Sequence, residues 1–268
     1  MSYQEVKCTI TILDQSLCML QGVSPEAEIR LRRAGVMTCA QLAAEAERYF
    51  SASHAQRIRT SYEEWQMARA HGLVDWEISH LPSGHRVRAL WDYWNDVLFY
   101  DIETDGTMAA SNITCISTLR NGRTCSFWRG HNLPEFLSEW AAAKILVSFN
   151  GKRFDTPIVC KTFGLTAVPA QIDLMNEAAH YGYRGGLKMV EKSFGFVRKE
   201  VGCTDGKDAI RLWNEYSETH SKKTLSELLE YNQADVASLV PLARGILHLS
   251  LENTLIDWAF ENSLDGFR

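Results

Sequence analysis

The run Val97-Leu98-Phe99-Tyr100-Asp101-Ile102-Glu103-Thr104 constrains this chain more than any other stretch of it. A short apolar run of this kind reads as a strand buried on both faces of a sheet. Side chains alternate along a strand, so Asp101 and Glu103 point to the same side, a few ångströms apart. Two unit charges ~4 Å apart repel by roughly 4 kcal/mol at the effective dielectric near a protein surface. An ionised pair at the mouth of a core strand therefore calls for a cation.

Two later segments supply what such a pair lacks. Ile145-Leu146-Val147-Ser148-Phe149 is another apolar strand, and it runs into Asn150-Gly151-Lys152-Arg153-Phe154-Asp155. That places Asp155 at a strand-to-helix junction, the edge at which open α/β sheets hold ligands. Further on, Thr224 and Glu227 have the spacing of a helix-opening capping box, and Leu225, Leu228, Leu229, Val236, Leu239 and Val240 follow at helical intervals. Tyr231 and Asp235 are four apart and share one face of this helix, the apolar one. A carboxylate facing a core is costly unless paired or metal-bound. Pro241 is expected to end or kink the helix.

Taken in order, Asp101-Ile102-Glu103-Thr104, Asn150-Gly151 through Phe154-Asp155, and Tyr231-Asn232-Gln233-Ala234-Asp235 resemble the three exonuclease motifs of the DEDD superfamily. The tyrosine four residues before the last aspartate resembles that of the tyrosine subclass rather than the histidine one. His80-Leu81-Pro82, Gln171-Ile172-Asp173-Leu174, Gly185-Gly186-Leu187-Lys188-Met189-Val190-Glu191, Phe194-Gly195-Phe196-Val197-Arg198 and Leu212-Trp213-Asn214-Glu215-Tyr216 are similar to segments of one member group, the YprB-like ribonuclease-H-fold proteins. The resemblance implies a 3′-5′ exonuclease acting on single-stranded DNA or RNA with a free 3′ end. It implies two divalent cations, Mg²⁺ or Mn²⁺, which fits oxygen-only ligands and motifs without histidine. On this reading Asp101 bridges both ions, Glu103 and Asp235 complete the water-activating site, Asp155 holds the second ion, and Tyr231 orients the attacking water. Thr104 and Asn150 are placed to touch the terminal nucleotide, Phe149 or Phe154 to stack on a base or to be plain core, and Lys188 to meet a phosphate or solvent. Asp173 also ends a strand, but such a residue more often caps the following helix, and it stays outside the metal set. Two other readings stay open: a catalytically silent nucleic-acid-binding or scaffold protein, and an endonuclease with the same metals.

The expected fold is α/β. Ile113 to Leu119 and Thr124 to Trp128 read as strands joined by Asn121-Gly122, a strong hairpin signal. With the first strand they form an antiparallel meander. A helix at Pro134 to Ala143, the Ile145 and Ile172 strands and a helical remainder complete a ribonuclease-H-like mixed sheet flanked by helices over residues 96–268. Residues 1–95 read as a mostly helical region after a strand at Val6 to Leu13. Within it Gly22-Val23-Ser24-Pro25 and Ala34-Gly35-Val36-Met37-Thr38 bracket either a degenerate helix-hairpin-helix, which presents backbone amides to phosphate, or an ordinary αα-hairpin.

Composition adds limits. The 268 residues carry a net charge of −5, with the basic residues in small clusters that include Arg30, Arg32 and Arg33, Lys152 and Arg153, and Arg198 and Lys199. This predicts local rather than global attraction for nucleic acid. The seven cysteines form no C-x-x-C pair and read as small buried hydrophobes. No apolar stretch near the ~18 residues of a membrane span stands out, and Met1 to Glu5 lacks signal-peptide character, so a soluble cytoplasmic protein without a membrane partner is expected.

Overall fold

The helical reading of the N-terminal region holds in the computed structural model, which describes residues 11–107, 109, 112–196, 206–252 and 254. Its helices are α1 (Ile12–Gln15), α2 (Pro25–Arg33), α3 (Cys39–Glu45), α4 (Ala52–Ala70) and α5 (Val74–His80). The expected strand at Val6 to Leu13 falls partly outside the described residues, and Ile12 and Leu13 are helical. The Ser24 hydroxyl caps α2 by accepting from Ala27 N, with Pro25 at the first helical position, and Thr38 caps α3 by accepting from Gln41 N. Between them Gly35 takes φ +92°, a turn conformation open to glycine at little cost. Glu28 and Arg32 face inward from α2 and are fully buried, with Arg32 Nε 3.7 Å from Glu28 Oε1. Glu28 also accepts from Leu17 N at 3.0 Å, and Arg32 donates to Gln15 O. Arg32 is thus a structural ion-pair partner and leaves the basic cluster of Arg30, Arg32 and Arg33 that the sequence suggested.

The chain forms two compact units, Met1–Pro82 together with Leu251–Arg268, and Ser83–Ser250. The sequence placed the division near residue 95. Residues 83–96 instead belong with the sheet: Arg88, fully buried, donates to the Ser250 hydroxyl and carbonyl, and the Arg86 backbone and guanidinium both bond Glu177.

In the second unit, α6 (Ala89–Asp92) leads to β1 (Val97–Thr104), β2 (Ile113–Arg120), β3 (Arg123–Trp128), α7 (Phe136–Ala142), β4 (Ile145–Ser148), α8 (Asp155–Phe163), β5 (Ala170–Asp173), α9 (Leu174–His180), α10 (Leu187–Ser193), α11 (Gly206–Thr219) and α12 (Lys222–Leu251). The sheet order is β3-β2-β1-β4-β5, antiparallel across β1, β2 and β3 and parallel across β1, β4 and β5. This is the mixed α/β, ribonuclease-H-like architecture expected. Asn121 and Gly122 make the β2–β3 turn with positive φ at both, as a two-residue hairpin needs.

The central strand is buried on both faces for different reasons. Leu98, Tyr100 and Ile102 pack with Ile116, Phe127, Phe136, Trp140 and Val159, beneath α7 and α8. Asp101 and Glu103 take the opposite face. There Cys115, opposite Glu103 in the ladder, packs with Ala209, Leu212 and Trp213 of α11 and Leu228 and Tyr231 of α12.

Helix α12 departs from the sequence reading at two points. It begins at Lys222 with the Ser221 hydroxyl accepting from Thr224 N, while the Thr224 hydroxyl donates to Glu215, so Thr224 is not its cap. Of the two outcomes expected at Pro241, an end or a kink, the end is excluded, because the helix runs through it. It also has an 18-residue window of mean hydropathy 1.2, long and apolar enough by composition to cross a membrane. That composition serves packing here, since Leu228, Val236, Leu239, Leu242, Ala243 and Ile246 are buried.

Candidate active site

Past Phe99, β1 outruns β4, because their parallel pairing covers only Val97 to Phe99. The strand edge that this opens needs a hydrogen-bond acceptor, and Asp155 at the start of α8 provides it: Oδ1 accepts from Ile102 N at 3.1 Å. Asp155 is 3% exposed. The loop that delivers it is shaped by three contacts. Asn150 adopts φ +65°, a left-handed conformation that asparagine tolerates. Asp173, at the end of β5, accepts from Asn150 N (2.8 Å), Lys152 N (3.2 Å) and Met175 N (3.1 Å), so it caps α9 and anchors the loop together. Gly151 has no room for a side chain: a Cβ there would lie 2.1 Å from Ser148 Oγ. Behind the loop the Tyr100 hydroxyl bonds Thr156 Oγ1 (2.7 Å), which donates to Gln171 (2.7 Å), tying β1, α8 and β5. Burial, then the Asp155 charge, pushes the Tyr100 phenol up, so it stays protonated.

On the other face of β1, strand alternation and the α12 face bring Asp101, Glu103 and Asp235 together. One carboxylate oxygen from each lies within 4.8 Å of the others. Desolvation, followed by the charges of Asp235 and Asp155, raises Glu103 to about 8, against a smaller lowering by Lys188. Desolvation likewise raises Asp155 to about 7, opposed by its backbone hydrogen bonds. Burial is the first cause of both shifts, and at Glu103 the neighbouring carboxylates add a charge term that a bound cation would offset. A site of carboxylate donors alone fits a hard divalent cation. The nearby Cys115 thiol is driven well up by burial and then by Glu103 and Asp101, and so offers no thiolate. Asp155 stands beside this set rather than in it.

Tyr231, one turn before Asp235, is buried at 5% exposure, and Lys188 Nζ from α10 lies 4.8 Å from its ring centroid. Glu103 and Thr104 line an open cleft of about 450 Å³ with Phe154, Gly206, Lys207 and Ile210. Phe154 is 45% exposed there, so it is not core, whereas Phe149 is half-buried. Sequence reasoning passed over three residues. Lys207 and Ile210 carry no motif and reach the cleft only through the placement of α11. Asn232 is fully buried and donates to Asp101 Oδ2 at 2.8 Å; the signal for it was its position inside the tyrosine motif, three residues before Asp235.

Residues 98–246, more than half of the sequence, match the RNase_H superfamily. The chain belongs to that superfamily. The match begins at Leu98 and ends at Ile246, so it contains β1, the Asp155 loop and the acid-bearing turns of α12. No curated protein matches the chain. Among solved structures it is similar to the family B DNA polymerase of the hyperthermophilic archaeon Pyrobaculum calidifontis, at 18% identity and a TM-score of 0.46. That similarity covers 59% of this chain, which spans only 25% of the polymerase.

Proposed function

We propose that this RNase_H superfamily member is a divalent-metal-dependent nuclease that removes nucleotides from the free 3′ end of single-stranded DNA or RNA. The observation that carries the reading is the convergence of Asp101, Glu103 and Asp235 oxygens to within 4.8 Å, on two elements far apart in sequence. Asp155 adjoins them. Asp101, Glu103 and Asp235 would hold one cation, and Asp155 with Asp101 a second. Mg²⁺ or Mn²⁺ bound there supplies Lewis acidity, lowering the pKa of water and offsetting charge on the leaving oxygen.

The remaining steps belong to side chains. The Tyr231 hydroxyl, carried on the face of α12 that bears Asp235, holds and orients the attacking water. Lys188, poised over the Tyr231 ring and near enough to lower Glu103, meets the scissile phosphate. Thr104 at the cleft wall and Asn150 at the loop contact the terminal nucleotide, and the exposed Phe154 ring supplies a stacking surface. Phe149, half-buried, starts the same loop.

A silent scaffold would have no use for three carboxylates that converge on one small volume. End-labelled DNA and RNA oligonucleotides with either end blocked, incubated with Mg²⁺, Mn²⁺ or EDTA, test the reading. A ladder shortening from the 3′ end with metal and none in EDTA is expected. Cleavage of circular or 3′-blocked substrate would overturn the exonuclease assignment in favour of an endonuclease, and inertness on every substrate would favour the scaffold.

A further inference from the structure

We infer that Asn232 is a positioning residue of the metal centre: its buried amide fixes the Asp101 carboxylate in the orientation that receives the cation. The inference rests on the metal-centre reading above and concerns a residue to which that reading gives no part. Asn232 lies on α12 between Tyr231 and Asp235, with no exposed surface, and its Nδ2 donates to Asp101 Oδ2 at 2.8 Å. Its Oδ1 is buried and has no hydrogen-bond partner among the described residues. Burying half an amide unsatisfied opposes folding, so a side chain of this kind is a poor choice for stability alone.

Helix docking has its own device next door. Gln233 Nε2 donates to Ser126 Oγ at 2.8 Å, and Ser126 bonds Ser117 at 2.9 Å, which ties α12 to β3 and β2. Ser117 is the ladder partner of Asp101, so the two adjacent amides of α12 address the same row of the sheet. One grips neutral hydroxyls and the other grips the acid.

The chemistry of the donor matters. A lysine or arginine in place of Asn232 would neutralise Asp101 and compete with a cation, whereas an uncharged N–H directs one oxygen and leaves the full negative charge in place. Groups that orient a ligand from behind in this way typically change metal affinity by about 10–100-fold when removed.

The test is Mn²⁺ binding by the full chain, measured by calorimetry or by the electron paramagnetic resonance of free Mn²⁺, with melting in EDTA followed in parallel. Asn232→Leu, close in volume but without a donor, is expected to melt cooperatively in EDTA and to bind Mn²⁺ about 10–100-fold more weakly. Gln233→Leu, which loses a docking bond without touching an acid, is expected to keep wild-type affinity. If Asn232→Leu fails to fold, Asn232→Ala answers the same question with less steric demand.

Wild-type Mn²⁺ affinity in a folded Asn232 variant overturns the inference while leaving the metal centre standing. Equal weakening by Gln233→Leu also overturns it, because Asn232 would then only dock the helix. Failure of the wild type to bind Mn²⁺ removes both readings. Mn²⁺ binding that depends on Asn232 in a protein that degrades no nucleic acid upholds this inference and removes the nuclease.

Discussion

Asp101 shows how a residue suited to function sets itself against stability. It shares a small volume with Glu103 and Asp235, and neutralising it removes repulsion that the metal-free protein otherwise bears. An asparagine there still offers an oxygen to Asn232 Nδ2. Asp101→Asn is therefore expected to melt in EDTA at or above the wild-type temperature. At free Mn²⁺ about 100 times Kd the wild type gains ~2.7 kcal/mol, and the variant should lose most of that gain together with activity. Strong destabilisation in EDTA with a full Mn²⁺ response would mean that Asp101 is a structural carboxylate. Tyr231→Phe separates differently. If the hydroxyl orients water, the single-turnover rate falls by ~10²–10⁴ while Mn²⁺ affinity is nearly unchanged.

The protons on Glu103 and Asp155 give a pH dependence with a definite sign. With folded values of about 8 and about 7, both lie above their unfolded carboxylate values, so between those limits the native state binds more protons than the unfolded one. Their contribution to stability is full at acid pH and is lost as pH rises through about 7 to 8. Melts in EDTA at pH 6 and pH 8.5 should show the lower stability at pH 8.5. A cation must displace the same protons, so Mn²⁺ affinity is expected to rise over this interval. Stability in EDTA that stays flat or increases towards pH 8.5 would mean that these acids are already ionised.

Among the elements, the loop from β4 to α8 is where local rules are most tightly spent on placement. Asp173 satisfies three backbone N–H groups at once, and Asn150 accepts a left-handed backbone. Asp173→Ala is expected to cost about 1–3 kcal/mol in chemical denaturation for the donors it orphans, and to lower activity by displacing Asp155. Gly151→Ala is expected to be more damaging to activity than to the fold at large. Its Cβ would overlap Ser148 Oγ and lie 3.2 Å from Asp155 Oδ2, so the loop must shift at the acid it delivers. Unchanged activity in Gly151→Ala would show that Asp155 can move without consequence.

At the scale of the whole molecule, the helical unit and the sheet unit pose separate questions. The arginines of α2 divide by burial: Arg32 is sealed against Glu28, while Arg30 and Arg33 are both exposed. Charge reversal at Arg32 would unfold its surroundings and say nothing of nucleic acid. Reversal at Arg30 and Arg33 alone is the informative change. If the hairpin grips phosphate, it should weaken single-strand binding and flatten its salt dependence while the rate at saturating substrate holds. Titrations at two salt concentrations would read this, and unaltered affinity would assign the hairpin to packing only.

Alternation along Val97 to Thr104 was enough to put Asp101 and Glu103 on one side, and helical spacing was enough to put Tyr231 with Asp235, because both periods are local properties of the backbone. The Asn121-Gly122 hairpin and the capping of α9 by Asp173 were legible because they too are local. What sequence could not supply was which faces meet. That Asp155 would spend an oxygen on Ile102 N follows from β4 stopping short of β1, a fact of strand pairing. Thr224 satisfied the local pattern of a cap and was taken instead by Glu215, and Pro241 sits inside a helix whose buried apolar residues hold it on both sides. In the sequence Arg32 is one of a basic cluster with Arg30 and Arg33, and only packing buries it against Glu28. Local chemistry determined the residues that bear the acids, and long-range packing decided their neighbours, since desolvation and charge coupling depend on atoms brought close by chain segments more than a hundred residues apart.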